Sequence, residues 1–193
     1  MPANSSGPLF LGEKMEIIQQ ADQWIFNFIN LHPHNLIADN IMIFCSKLGN
    51  WGSIWLVVAI IMLFNKKYRR FGIMALCVLL LSTLIAENLM KPLIARPRPF
   101  ITDPTLSLLI TAPHGFSFPS GHAMSAFAAA TIFYYAHHRL GVCAYILAAL
   151  IAFSRLYLNL HYPSDIICGA IFGALLALLV LAIGKHIFTR PQN

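Results

Sequence analysis

The chain has 193 residues, 58% hydrophobic and 10% charged, with a net charge of +6 and a mean hydropathy of +0.69. Soluble domains hold about 45–50% apolar and about 25% charged residues, so this excess is too large for one core to hide, and such apolarity also excludes disorder. What remains is an integral membrane protein of one domain.

The first ten residues hold no basic region followed by a long apolar stretch, so no cleavable leader is expected. Ile17, Ala21, Trp24, Phe28 and Leu31 then recur at steps of four and three, with Glu16, Gln20, Gln23, Asn27 and Asn30 on the opposite side. This is an amphipathic helix, ended by Pro33. Ile37, Ile41, Phe44 and Leu48 begin the pattern again. Residues 13–47 therefore read as N-terminal amphipathic helices that lie along an interface or pack on other helices, with a sixth span left open there. Residues 48–187 read as the transmembrane core. A bilayer-crossing helix needs about 20 mostly apolar residues, with about 17 as the lower limit. Segments 48–64, 71–90, 140–158 and 166–184 meet that description, and 121–135, short and rich in alanine, reads as a further span, so the expected fold is an all-α membrane bundle of five helices.

The charges divide between the two ends of such a bundle. Turns at 65–70, 137–139 and 185–193 carry Lys66, Lys67, Arg69, Arg70, Arg139, Lys185 and Arg190 and no acid. The other end holds Lys14, Lys47, Lys91, Arg96, Arg98 and Arg155 with all seven acids. Lys91, Arg98 and Arg155 belong to a motif described below, and without them the cations stand seven against three. By the positive-inside rule the basic turns face the cytoplasm, and residues 91–120 the extracytoplasmic side. The basic excess thus reports topology and calls for no nucleic-acid partner. The four cysteines form no close pair, and three sit in apolar runs, so neither disulfides nor a metal site is expected of them.

Ionisable groups at the margin of membrane helices are functional candidates by default, and three segments of the outer end carry them. The first is Lys91-Pro-Leu-Ile-Ala-Arg96-Pro-Arg98-Pro99, a proline-stiffened turn that holds Lys91 and Arg98. The second is Pro119-Ser120-Gly121-His122 at a helix start, where free N–H groups attract an anion and glycine allows close approach. The third is Ser154-Arg155, then His161 and Asp165. Lys91, Arg98 and Arg155 together suit the spread charge of a phosphoryl group. His122 and His161 can move protons near neutrality, and Asp165, four residues beyond His161, can hold its ring in one tautomer. Taken singly, each has an ordinary structural explanation: a solvated histidine, headgroup-level cations, a helix cap. Secondary candidates are Glu87, placed to pair with Lys91, Arg96, which suits a second phosphate, a headgroup or solvent, and His114, which suits either the site mouth or loop packing. Asp103 reads as a turn former.

These residues also resemble, at every defining position, the three-part signature of the type-2 phosphatidic acid phosphatase superfamily of membrane lipid phosphatases: Lys91 with Arg98-Pro99, Pro119-Ser120-Gly121-His122, and Ser154-Arg155 with His161 and Asp165. The resemblance implies metal-independent catalysis with no cofactor. It casts His161 as the nucleophile that forms a phosphohistidine, Asp165 as its orienter and His122 as proton donor. Lys91, Arg98, Arg155, Ser120 and the Gly121 amide form the phosphate cradle. The implied partners are a lipid phosphate substrate and membrane lipids, with the oligomeric state left open. The small bacterial members suggest undecaprenyl pyrophosphate, a multi-pass inner-membrane location and a periplasmic site. Some of those enzymes carry Asp where Gly121 stands, which keeps phosphatidylglycerol phosphate, phosphatidic acid and lipid A as alternatives. A vanadate-dependent haloperoxidase shares the signature but is soluble. An anion transporter or channel would suit the spans and cations, but gives no reason for a His–Asp pair.

Overall fold

The computed structural model describes residues 6–30 and 35–188, with side chains described for 16–29 and 35–187. Leu31, Pro33 and Arg190 of the sequence reading lie outside them, as do the side chains of Lys14 and Asn30. All regular secondary structure among the described residues is helical, with α1 at Ser6–Asn30, α2 at Leu36–Leu48 and α3 at Ser53–Leu63. The Arg69–Thr83 helix, α4, runs through a π-helical stretch, Leu84–Met90, into the short α5, Lys91–Ile94. A second short helix, α6, covers Pro99–Thr102, and α7 (Gly121–Ala136), α8 (His138–Tyr157) and α9 (Pro163–Phe188) complete the bundle.

The core is centred on α7, which packs against α4, α8 and α9. Its alanines at 126, 128, 129 and 130 are fully buried, together with Trp55, Val78, Ala148, Ile151 and Ala177 from the surrounding helices. Small residues are what let these helices approach. A Cβ on Gly173 would lie 2.1 Å from the Met124 carbonyl oxygen, and one on Gly169 2.7 Å from that of Ser120. The Gly169/Gly173 repeat on α9 is therefore filled by the backbone of α7, as small-xxx-small seams are in membrane bundles. The opposite face of α9 presents Ile167, Ile171, Leu175, Leu179, Ile183 and Ile187, all half exposed or more. An apolar stripe of that length, turned outward, suits lipid.

Three helical stretches are each long and apolar enough to cross a bilayer: Arg69–Thr102, His138–Tyr157 and Pro163–Ile187. A fourth crossing arises if Leu36–Leu48 and Asn50–Leu63, bent by 52° at their junction, count as one. Two of the five expected spans are shorter than these. The first expected span is broken at Trp51 and Gly52, whose φ values of 55° and 66° are left-handed, so α3 is short. The third, α7, has 16 residues, about 24 Å of helix, yet it runs from the cavity end at Gly121 to the basic end at His137. Its middle is buried among the other helices.

The N-terminal helix turns its polar and apolar residues unevenly toward the bundle. Trp24 is 70% and Ile17 63% exposed, whereas Asp22 and Phe26 are buried where α1 meets α8 and α9. The apolar stripe thus looks away from the bundle, as an interface-lying helix requires. At the basic end, Tyr68 and His137 meet edge to face at 6.5 Å, and Arg70, Tyr135 and Lys185 share a small cavity. The three signature segments lie at the opposite end.

Candidate active site

A cavity of about 640 Å³ opens at that end, and Lys91, Arg98, Gly121, His122, Arg155 and His161 all line it. Residues 91 and 161 thus reach one space although 70 positions apart, because antiparallel helices return the chain to the same end. Each cation is held. The Lys91 ammonium donates to Glu87 Oε1 at 2.6 Å, a pairing that follows the π-helical stretch, a frequent feature of functional sites. Arg98 is buried and donates from Nε to Gly115 O at 2.9 Å and from Nη1 to Leu160 O at 3.0 Å. Its Nη1 also stands 3.3 Å from His161 Nε2. Arg155 donates from Nη1 to the Ser46 hydroxyl of α2, while its Nε has no protein partner.

His161 is 2% exposed and sits in the turn between α8 and α9, where Asn159 adopts φ 61°, a conformation asparagine tolerates well. Its Nδ1 lies 3.5 Å from Asp165 Oδ2, longer than a well-formed hydrogen bond. With a carboxylate at Nδ1 and a guanidinium N–H at Nε2, the favoured neutral tautomer carries its proton on Nδ1. The Nε2 lone pair then faces the cations. Burial is the main cause that pushes the imidazole down to about 3, opposed by the nearby Asp165 carboxylate and reinforced by Arg98 and Arg155. The ring is therefore neutral at physiological pH.

Asp165 itself lies behind His161 and outside the cavity wall. Its Oδ2 accepts from the Tyr162 N–H at 2.9 Å, and its Oδ1 from Arg96 Nη1 at 2.7 Å. Ser120 is likewise buried and absent from the wall: its hydroxyl caps α7 by accepting from the Ala123 N–H at 3.4 Å, and its N–H donates to the Asp165 carbonyl. Gly121 lines the cavity at the start of α7, where helix N–H groups favour an anion. Among the secondary candidates, Glu87 and His114 line the cavity. Arg96 does not: it is engaged by Asp22, Ser164 and Asp165, away from the phosphate, headgroup or solvent left open by the sequence. Asp103 closes its own turn by accepting from the Thr105 N–H and hydroxyl, which hold its carboxyl below the usual range.

Sequence reasoning missed three supporting residues. Asn50 Oδ1 is 3.0 Å from His122 Nε2, Ser46 holds Arg155, and Asp22 holds Arg96. A signal existed for each, a lone polar side chain on a helix otherwise read for its apolar face, but its partner is far along the chain. Among the described residues no three His, Cys, Asp or Glu side chains converge as metal ligands would.

A helical membrane bundle in which three cations and three histidines share one cavity suits phosphoryl transfer at the bilayer. The family model of the PAP2 superfamily matches residues 72–188. This chain belongs to that superfamily and is a membrane lipid phosphatase. It is 31% identical over 163 residues to an undecaprenyl-diphosphatase of Sulfolobus acidocaldarius, covering 82% of this chain and 76% of the relative. It is 27% identical to the undecaprenyl-diphosphatase BcrC of Bacillus subtilis, covering 80% of each. The fold is similar to the crystal structure of a transmembrane PAP2-type phosphatidylglycerolphosphate phosphatase from Bacillus subtilis, with a TM-score of 0.72 and 27% identity, over 89% of this chain and 88% of that one.

Proposed function

We propose that the protein removes the terminal phosphate of undecaprenyl pyrophosphate through a phosphohistidine on His161, at the extracytoplasmic face of a bacterial inner membrane. The observation that carries the reading is His161 Nε2, buried 3.3 Å from Arg98 Nη1 in a residue that lines a cavity with Lys91 and Arg155. The terminal phosphoryl group docks against the three cations and the Gly121 amide. His161 Nε2 attacks phosphorus in line, the N–P bond forms, and the bridging P–O bond breaks. His122 gives its proton to the departing oxygen of the lipid phosphate and then takes one from water, whose oxygen displaces His161 and releases inorganic phosphate. Asp165 stabilises the positive charge that develops on the imidazole. Ser120 acts from behind, by holding the first turn of α7.

Two undecaprenyl-diphosphatases at 31% and 27% identity over most of the chain favour the polyprenyl substrate. The phosphatidylglycerolphosphate phosphatase of like fold supports a second reading, a glycerophospholipid phosphate. The orientation follows from the basic end lying opposite the cavity. Detergent-purified protein assayed for phosphate release on undecaprenyl pyrophosphate, phosphatidylglycerol phosphate, phosphatidic acid and lipid A tests the choice. Preferred turnover of the polyprenyl substrate is expected, and preference for a glycerolipid would replace it with the second reading. Release from none of the four, with tight anion binding, would favour a transporter.

A further inference from the structure

Asp22 is a carboxylate on the N-terminal helix, 3% exposed, and the mechanism above does not use it. Its Oδ2 accepts from Arg96 Nη2 at 2.6 Å and from the Ser164 hydroxyl at 2.5 Å, and its Oδ1 from the Ser164 N–H at 2.8 Å. Ser164 is in the first turn of α9, directly after Pro163. Asp22 therefore caps that helix from another part of the chain, meeting an N–H that has no partner within the helix. Arg96 continues the line. Its Nη1 donates to Asp165 Oδ1, and its guanidinium stacks on the Tyr162 ring at 4.1 Å, with Phe26 of α1 against the same ring.

The charges along this line alternate: Asp22 negative, Arg96 positive, Asp165 negative. Were Arg96 alone beside Asp165, it would neutralise the carboxylate meant to stabilise charge on His161. Shared between two acids, it fixes the Asp165 side chain while a net negative charge remains toward the imidazole. We propose that Asp22 and Arg96 are a positioning pair for the reaction, by which the docked N-terminal helix fixes the orientation and preserves the charge of Asp165 behind His161. The inference rests on the phosphohistidine reading above.

The test uses the full-length protein in detergent, with farnesyl pyrophosphate and dioctanoyl phosphatidic acid as probes. Asp22→Asn keeps an acceptor for the Ser164 N–H and removes only the charge. Its kcat is expected to fall about tenfold with KM nearly unchanged, and Asp22→Glu to recover most of the loss. Arg96→Gln leaves two carboxylates facing each other and also falls. Combining Asp22→Asn with Arg96→Gln removes both charges and is expected to be several-fold more active than Asp22→Asn alone. A contact that served only to dock the helix would give a double variant no better than the worse single one. That outcome, or an unchanged kcat in Asp22→Asn, overturns the proposal. Should Asp22→Asn fail size-exclusion chromatography, Arg96→Gln against the double variant makes the same comparison. His161→Ala runs alongside: turnover by it sinks the phosphohistidine reading, whereas an inactive His161→Ala beside a wild-type Asp22→Asn sinks this proposal alone.

Discussion

A Cβ on Gly121 would stand 3.0 Å from Glu87 Oε1, so the carboxylate paired with Lys91 occupies the space beside the first residue of α7. Gly121→Asp would set a second acid against Glu87 at the phosphate cradle. We expect KM for a lipid phosphate to rise about tenfold, since the added charge repels the substrate and competes for Lys91. Adding Glu87→Gln should return most of that loss. A Gly121→Asp enzyme with wild-type KM would show that Glu87 swings clear at no cost.

His161→Ala should abolish phosphate release while the three cations still bind the lipid phosphate. Phosphate release and equilibrium binding of a labelled lipid, measured on the same preparation, check it. Vanadate, which adopts the five-coordinate geometry of the transferred group, should inhibit the wild-type enzyme.

The neutral state of the same histidine has a pH consequence. Its pKa is depressed from 6.5 to about 3, so between those values the unfolded chain binds the proton and the folded one does not. Folding stability therefore falls as pH drops below 6.5. The nucleophile itself stays available there. Trapping the phosphoenzyme with an alkaline quench should give undiminished labelling down to about pH 5, and loss of label with an apparent pKa near 6.5 would contradict the neutral tautomer.

His122 is fixed by its neighbours as much as by its own helix. Asn50 meets its Nε2 at 3.0 Å, and a Cβ on Gly49 would fall 2.7 Å from its Cδ2. Asn50→Ala should lower turnover of dioctanoyl phosphatidic acid about fivefold, yet affect p-nitrophenyl phosphate little, because a departing alcohol needs a proton and nitrophenolate does not. Equal losses on both substrates would place Asn50 in binding instead.

Gly173→Val should prevent assembly of the bundle, since its first side-chain atom would lie 2.1 Å from the Met124 carbonyl and the backbones of α7 and α9 cannot part without opening the core. Thermal unfolding followed by size-exclusion fluorescence reads this directly. Ile171→Val, on the exposed face of α9, is the matched control and should cost little.

The sequence alone determined the membrane setting, the helical bundle, the clustering of cations at one end and the signature residues. Each of these depends on composition, period or short spacing, and such properties are local. Tertiary structure decided which neighbours those residues have. The period of α1 marks an apolar stripe, yet Asp22 and Phe26 face the bundle, because a lone buried acid is worth its desolvation only where a distant Arg96 and Ser164 N–H receive it. The length rule marks α7 as short for a crossing, yet it traverses the bundle enclosed, because its alanines and the glycines of α9 let helices close around it. Arg96 reads as one more cation beside Arg98, and only the return of α9 to the same end gives it Asp165 as a partner. Partners separated by tens of residues leave no periodic trace, so the shell that holds the catalytic groups became visible only once the chain had folded.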